Sequence, residues 1–577
     1  MAFFRSLLVS FALTGLVITA VLAQDQTPIY ERASAYSPVV ATGGMVVAQE
    51  GFAPRIGADI LAQGGNAIDA AVATGFALAV TLPRAGNLGG GGFMLIHLAE
   101  SGETIALDYR EKAPQAATRD MFLGPGGEVD KRKAFFSHLS AGVPGTVAGL
   151  LYAHEKYGTL PLETLLSPAI TLAEEGFAVS FDLARALKRY GSRTMSKNPA
   201  AKKIFFNEDG GFYAPGEILV QSDLAWSLRQ IAQSGRRAFY DGPIAERLIA
   251  DMEANGGIMT REDLRRYKIA VRKPIISTFQ GHEIALMPPP SSGGVHIVQM
   301  LNIMAGDDLA AMGQGSADSY HLMAEAMKYA YADRSKYLGD PDFAEVPVEA
   351  LMDPAYATAI RAKIDMDKAT PSSAIKAAAK LPYESPDTTH YSVADKDGNM
   401  VSNTYTLNFS YGSGRVAAGT GILLNNEMDD FAVKPGVPNA FGLTGGEANA
   451  IEPGKRPLSS MTPVIVLKDG KAMLATGSPG GSTIITTVLQ TLINRLVHGL
   501  NVAEATSRPR IHHQWLPDLI SIEGHASPDT IALLEAKGHT LRVGRVLGAT
   551  ETIEMRDGLF YGAADPRRPA ARAVGIP

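Results

Sequence analysis

The chain contains no cysteine among its 577 residues. Disulfides, cysteine nucleophiles and iron–sulfur clusters are therefore excluded, and stability has to come from the core. Charge of one sign is also scarce: the formal net charge is −6 and no basic patch stands out, which gives no footing for nucleic acid. The mild acidity selects no partner. There is no Walker A loop, no Gly-x-Gly-x-x-Gly fingerprint and no Gly-x-Ser-x-Gly elbow. No internal repeat and no long low-complexity linker divides the chain. Beyond its N-terminus no run is long and apolar enough to span a membrane.

What is present starts with Arg5 and the apolar stretch Leu7 to Leu22, which ends in Val21-Leu22-Ala23 before Gln24-Asp25-Gln26. This reads as a signal peptide over residues 1–23, removed after Ala23. The stretch approaches spanning length, so an uncleaved anchor is the alternative. The upstream half reads as mainly helical. Ala58 to Val80 shows helical spacing broken at Gly64-Gly65-Asn66, and Leu160–Leu166 and Tyr320–Tyr337 form further helices. Phe93–His97 and Thr104–Asp108 read as strands. The downstream half alternates strands and helices.

The most informative stretch is Pro386-Asp387-Thr388-Thr389-His390-Tyr391-Ser392. Thr389 to Val393 has the β-branched and aromatic content of a strand, and the preceding run from Lys380 is loop-like. A threonine hydroxyl becomes a useful nucleophile when its own α-amine is free as the base, and that amine titrates near pH 8. An internal threonine gains it only if the bond before it is cut. The motif thus suggests a precursor that cleaves between Asp387 and Thr388. On these residues alone, an ordinary edge strand after a proline loop is the favoured reading.

Asp395-Lys396-Asp397-Gly398-Asn399 is a hairpin signal. A three-residue loop, Lys396-Asp397-Gly398 with Gly398 left-handed, sets Thr388 opposite Thr406, with Asn408 one diagonal away. Asn425-Asn426-Glu427-Met428-Asp429-Asp430 supplies amides and carboxylates suited to an ammonium group, or simply a solvated turn. Lys455 to Pro463 offers the hydroxyls of Ser459 and Ser460. Gly477-Ser478-Pro479-Gly480-Gly481-Ser482 precedes a helix, and its N–H groups suit an oxyanion or a plain strand-to-helix turn.

The ordered set of these motifs resembles the γ-glutamyltransferases (γ-glutamyltranspeptidases), of the N-terminal nucleophile hydrolase superfamily. Upstream, Asn87–Phe93, Asp108-Tyr109-Arg110-Glu111, Ala141–Gly145 and Pro288–Gly294 match as well; downstream, His512–Trp515 and Asp565-Pro566-Arg567 do. The resemblance implies an α+β fold, a four-layer αββα sandwich of two stacked antiparallel sheets flanked by helices. It implies a large fragment, 24–387, and a small catalytic fragment, 388–577, held as a heterodimer around one core. Residues Asp365 to Pro386 then become the mobile end of the large fragment.

The same resemblance implies the site. Thr388 is the nucleophile, Thr406 orients it, and Gly480 and Gly481 hold the oxyanion. Arg110, Ser459 and Ser460 bind the α-carboxylate of a γ-glutamyl donor such as glutathione; Asn408, Glu427 and Asp430 bind its α-ammonium. Acceptors are water, amino acids or dipeptides. Phe441 lies in the loop that covers the pocket, where a tyrosine is common, and Glu427 stands where some bacterial relatives have Gln. No cofactor, metal, nucleic acid or membrane partner is implied once the signal is removed, and the destination is the exterior of the cell, in the periplasm. His512-His513 reads as packing and hydrogen bonding. The alternatives are an acylase of the same fold acting on glutaryl side chains and an exported binding protein without activity.

Overall fold

The computed structural model describes residues 36–375, 388–434, 436, 437, 439, 443 and 445–577. Residues from Pro38 onward form one compact unit. Asp387, the segment 1–23 read above as a signal peptide and Phe441 lie outside the described residues.

Alternation along the strands decides the layering. In Gly44–Ala48, Val46 and Ala48 belong to one apolar cluster while Met45 and Val47 belong to another. Gly91–Leu98 repeats this, with Met94 and Ile96 on one side and Phe93 and Leu95 on the other. Successive side chains of a strand point to opposite faces, so this sheet is covered on both. Two seven-stranded sheets result. One runs, in spatial order, Arg572–Ile576, Gly44–Ala48, Thr388–Asp395, Met400–Thr406, Gly91–Leu98, Glu103–Asp108 and Ala270–Arg272. The other runs Val39–Ala41, Leu559–Ala564, Glu551–Arg556, Lys471–Thr476, Val464–Lys468, His282–Leu286 and Ile275–Phe279. Neighbours are antiparallel throughout both.

Helices close each outer face. Phe52–Ala62, Ala67–Thr81 and Thr146–Tyr157 pack on the first sheet. Gly293–Ile303, Ala317–Tyr337 and Thr483–Leu496 pack on the second. This is the expected four-layer αββα sandwich. The expected break at Gly64-Gly65-Asn66 separates the first two helices, and Asn66 caps the second by accepting from Ile68 N and Asp69 N. Both sheets combine strands from before and after residue 388, so neither part encloses a core by itself.

One expectation needs correction. Residues 365–375 are not a loose tail. His321 Nε2 bonds Asp365 O at 2.8 Å, Lys328 Nζ donates to Thr370 O at 2.7 Å, and Trp515 Nε1 donates to Ser372 O at 3.0 Å. Asp518 accepts from Ser372 N and Oγ, both at 2.8 Å. Four distant side chains hold backbone that no local pattern would order; the rest of the segment, 376–387, lies outside the described residues.

Candidate active site

The hairpin that carries Thr388 is built as its loop demands. Ala394 pairs with Met400, Gly398 closes the turn at φ +94°, and the register places Thr388 opposite Thr406. Thr388 donates its hydroxyl to Thr406 Oγ at 3.4 Å, and Thr406 Oγ also accepts from Asn408 N at 2.9 Å. The neighbouring strand starts with the glycine run. A Cβ on Gly90 would fall 1.9 Å from Thr406 O, so the backbone approach itself requires glycine. Asn425 ties this region together: its Nδ2 donates to Gly89 O and Gly142 O, both at 2.8 Å. The glycine run is thus a tight backbone contact beside the site.

Thr388 lines a small cavity that is partly open to solvent. Arg110, Asn408, Glu427, Asp430, Ser459, Ser460 and Gly481 share its walls. Gly480 sits one residue behind. It is at φ +137°, Gly481 is at φ +57°, and a Cβ on Gly480 would meet Thr483 Oγ at 2.4 Å. Among the described residues neither glycine N–H donates to a protein acceptor. Gly480 O accepts from Thr483 N and Oγ, which fixes the turn, and Tyr331 OH donates to Ser482 O. Preorganised N–H groups of this kind stabilise a developing oxyanion.

The charged wall differs from the expected division of labour. Arg110 is fully buried, and its guanidinium pairs directly with Glu427 and Asp430 and, at 3.4 Å, with Glu111. It donates also to Pro457 O and Leu458 O. The residues read as one carboxylate-binding and two ammonium-binding groups thus form a single ion-pair cluster. Burial alone would weaken the charge on Arg110, but Glu427, Asp430 and Glu111 outweigh it and hold the guanidinium charged. Burial pushes Glu111 up to about 7 against the pull of Arg110. Burial raises Glu427 as well, with Glu111 and Asp430 adding to it against Arg110. More carboxylate than cation is crowded here. Among the described residues, two buried acceptors, Asn408 Oδ1 and Glu427 Oε2, have no donor. An arriving ammonium would satisfy both.

Ser459 and Ser460 line the same cavity. Ser459 Oγ accepts from Met461 N at 3.1 Å. Ser460 Oγ accepts from Arg334 Nη2 at 3.1 Å. Arg334 also lines the cavity, and sequence reasoning missed it.

This constellation has a match across most of the chain. The family model described as gamma-glutamyltranspeptidase covers residues 53–575. The chain belongs to the γ-glutamyltranspeptidase family. It is 54% identical over 568 residues to the glutathione hydrolase proenzyme of Escherichia coli (strain K12), covering 98% of each. The solved cephalosporin acylase from Bacillus halodurans superposes with a TM-score of 0.82 at 29% identity, covering 96% of this chain and 99% of that one. The γ-glutamyltranspeptidase of Helicobacter pylori superposes at 0.55 with 51% identity, over 56% of this chain and 93% of that chain. As in N-terminal nucleophile hydrolases generally, the architecture is the four-layer sandwich described above.

In this γ-glutamyltranspeptidase family member His512 and His513 are buried. His512 bonds Thr486 Oγ and Gln514 Oε1, each at 2.9 Å, and His513 Nδ1 accepts from Trp515 N at 3.0 Å. Elsewhere, His321, Glu325 and His539 converge in a way the sequence did not reveal. His321 Nδ1 lies 2.7 Å from His539 Nε2, and the Lys328 ammonium lies 2.7 Å from Glu325. An ammonium already occupies the carboxylate, so the trio reads as the anchor of residues 365–370 rather than as a metal centre. Among the described residues no helix is long and apolar enough to cross a membrane.

Proposed function

We propose that Thr388 first cuts the chain and then transfers γ-glutamyl groups, so that the protein acts as a glutathione hydrolase and transferase. The observation that carries this reading is the cavity in front of Thr388, which Asn408 and Glu427, each with a buried acceptor unpaired among the described residues, share with Ser459 and Ser460. A free glutamyl head carries an ammonium and a carboxylate on one carbon, and the same cavity offers groups complementary to each.

In the precursor, the Thr388 hydroxyl adds to the Asp387 carbonyl carbon. The Asp387–Thr388 C–N bond breaks, leaving an ester at Oγ and a free amine on Thr388. Water hydrolyses the ester, giving the Asp387 carboxylate and a free hydroxyl. The new α-amine then takes the Oγ proton as Oγ attacks the γ-carbonyl of a donor such as glutathione. Gly481 N–H, with Gly480 behind it, stabilises the oxyanion. The leaving amine departs with a proton, and water or the amine of an amino acid or dipeptide resolves the ester. The word proenzyme in the E. coli relative's name supports maturation by cleavage into 24–387 and 388–577.

Arg110, Ser459 and Ser460 serve the α-carboxylate; Asn408, Glu427 and Asp430 serve the ammonium. Arg110 reaches the carboxylate only as its carboxylate partners turn toward the incoming ammonium. The glutaryl acylase reading is disfavoured by Asn408 Oδ1 and Glu427 Oε2, which a head without an amine leaves unpaired. The leading apolar segment supports export to the periplasm. Turnover of γ-glutamyl and glutaryl anilides by the matured protein tests the reading: a strong preference for the γ-glutamyl donor is expected, and a preference for the glutaryl donor overturns it.

A further inference from the structure

Arg334 lies near the end of the helix Ala317–Tyr337, and its side chain is buried. Its Nε donates to Ser292 Oγ at 3.0 Å and its Nη2 to Ser460 Oγ at 3.1 Å. Ser292 in turn donates to Ser459 O, through N at 2.8 Å and through Oγ at 2.7 Å. One guanidinium thus braces both consecutive serines, Ser460 directly and Ser459 through Ser292. Among the described residues no carboxylate lies within 4.0 Å of it, in contrast to Arg110, which three carboxylates surround. A buried cation without an anion is costly unless something supplies the charge.

We propose that Arg334 is a positioning residue that selects donors bearing an α-carboxylate, acting through the Ser460 hydroxyl; this rests on the γ-glutamyl reading above. The geometry sets the direction of that hydroxyl. Ser460 Oγ accepts from Arg334, so its own proton is left to point elsewhere. Among the described residues it donates to no protein group, while Ser460 lines the cavity. Accepting a charged donor makes a hydroxyl a stronger donor in turn. The donor's carboxylate is the acceptor this arrangement lacks, and it brings the negative charge that Arg334 lacks. Charge balance agrees. Around Arg110, the three carboxyl groups of Glu111, Glu427 and Asp430 share the single guanidinium, so Arg334 is the cation among the described cavity-lining residues that has no carboxylate partner. Burial first, then Arg110, lowers Arg334 to about 10, with Tyr331 and Asp430 opposing, so it remains charged at neutral pH.

The test compares matured wild type, Arg334→Met and Arg334→Lys on two donors. One is a γ-glutamyl anilide. The other is a 4-aminobutanoyl anilide, which keeps the amine and the scissile carbonyl but has no α-carboxylate. Arg334→Met is expected to lower kcat/KM on the γ-glutamyl donor roughly ten- to a hundred-fold, mainly through KM, the scale of one charge-assisted hydrogen bond. On the 4-aminobutanoyl donor it is expected to change little. Arg334→Lys, which keeps the charge and one donor, should recover part of the loss. In a Ser460→Ala background the effect of Arg334→Met should shrink, because its route to the substrate is gone. Parallel losses on both donors would make Arg334 a structural strut and overturn the proposal. Should Arg334→Met fail to fold or mature, the same ratio measured with Arg334→Lys decides. A wild type that does not turn over the γ-glutamyl donor is a distinct result: it overturns the reading of the site, and this inference with it.

Discussion

Thr388 and Thr406 face each other across an antiparallel ladder with their hydroxyl oxygens 3.4 Å apart. The placement is covalent in origin. A three-residue turn fixes the register, and the register fixes which side chains share a face. Thr406 is itself steadied by Asn408 N, so nucleophile, orienting hydroxyl and pocket amide form one short relay.

Thr406→Ala should therefore slow cleavage before Thr388 without abolishing it. A neutral hydrogen bond contributes about 0.5–1.5 kcal/mol, which is roughly two- to ten-fold in rate. Thr406→Ser keeps the hydroxyl and should cut nearly as fast as wild type. A time course of the uncut band on a denaturing gel measures this; equal rates for the alanine and serine variants would remove Thr406 from the relay.

The ion-pair cluster makes a prediction about donors. Asp430→Asn should impair a γ-glutamyl anilide far more than a glutaryl anilide, which has no ammonium to lose. Arg110→Lys keeps the charge but loses the fork that reaches Glu427 and Asp430 together. It should raise KM for γ-glutamyl donors roughly ten- to a hundred-fold. Steady-state kinetics on both donors checks the pair, and equal losses for Asp430→Asn on the two would place Asp430 outside the ammonium site.

Acid stability follows from His390. Burial lowers it to about 3, and it is held neutral between Thr404 Oγ at 2.8 Å and Ser392 Oγ at 3.0 Å. The unfolded chain binds the proton below about pH 6.5 and the folded chain does not. Stability conferred by the neutral ring is therefore present above pH 6.5 and lost as pH falls toward 3, at roughly 1.4 kcal/mol per pH unit. In a Thr388→Ala background, His390→Gln should flatten the pH dependence of urea unfolding between pH 6.5 and 4.5 by about that slope. Identical slopes would show that the ring is protonated in the fold.

Phe441 belongs to the loop that the family resemblance places over the pocket. A tyrosine at that position would offer a hydroxyl that phenylalanine lacks. We expect Phe441→Tyr to raise the ratio of transfer to hydrolysis at fixed acceptor concentration, several-fold if one hydrogen bond sets the closed population. Unchanged partition ratios would leave ring packing as the closing contact.

The hairpin and its register were legible in the sequence because turn chemistry and alternation are local. So were the break at Gly64-Gly65-Asn66 between the first two helices and the helix expected over Tyr320–Tyr337, which runs Ala317–Tyr337. The role of Arg334 was not. Nothing in the helical pattern separates it from Lys336 or Arg361, and its partner Ser460 lies 126 residues away. The pairing of Arg110 with Glu427 spans 317 residues and appears only once the sheets are stacked. The ordering of residues 365–375 depends in the same way on Lys328, Trp515 and Asp518, contacts no local pattern announces. Local rules gave the strands; long-range packing decided which charges meet.

The central claim is that the Thr388 hydroxyl both cuts the chain and carries the acyl group. Intact mass and N-terminal sequence of the purified protein, wild type beside Thr388→Ala, test it most directly. Wild type should yield two associated fragments, the smaller beginning at Thr388, and Thr388→Ala should remain one inactive chain. A Thr388→Ala protein that still splits after Asp387 would assign the cut to another agent and contradict the account.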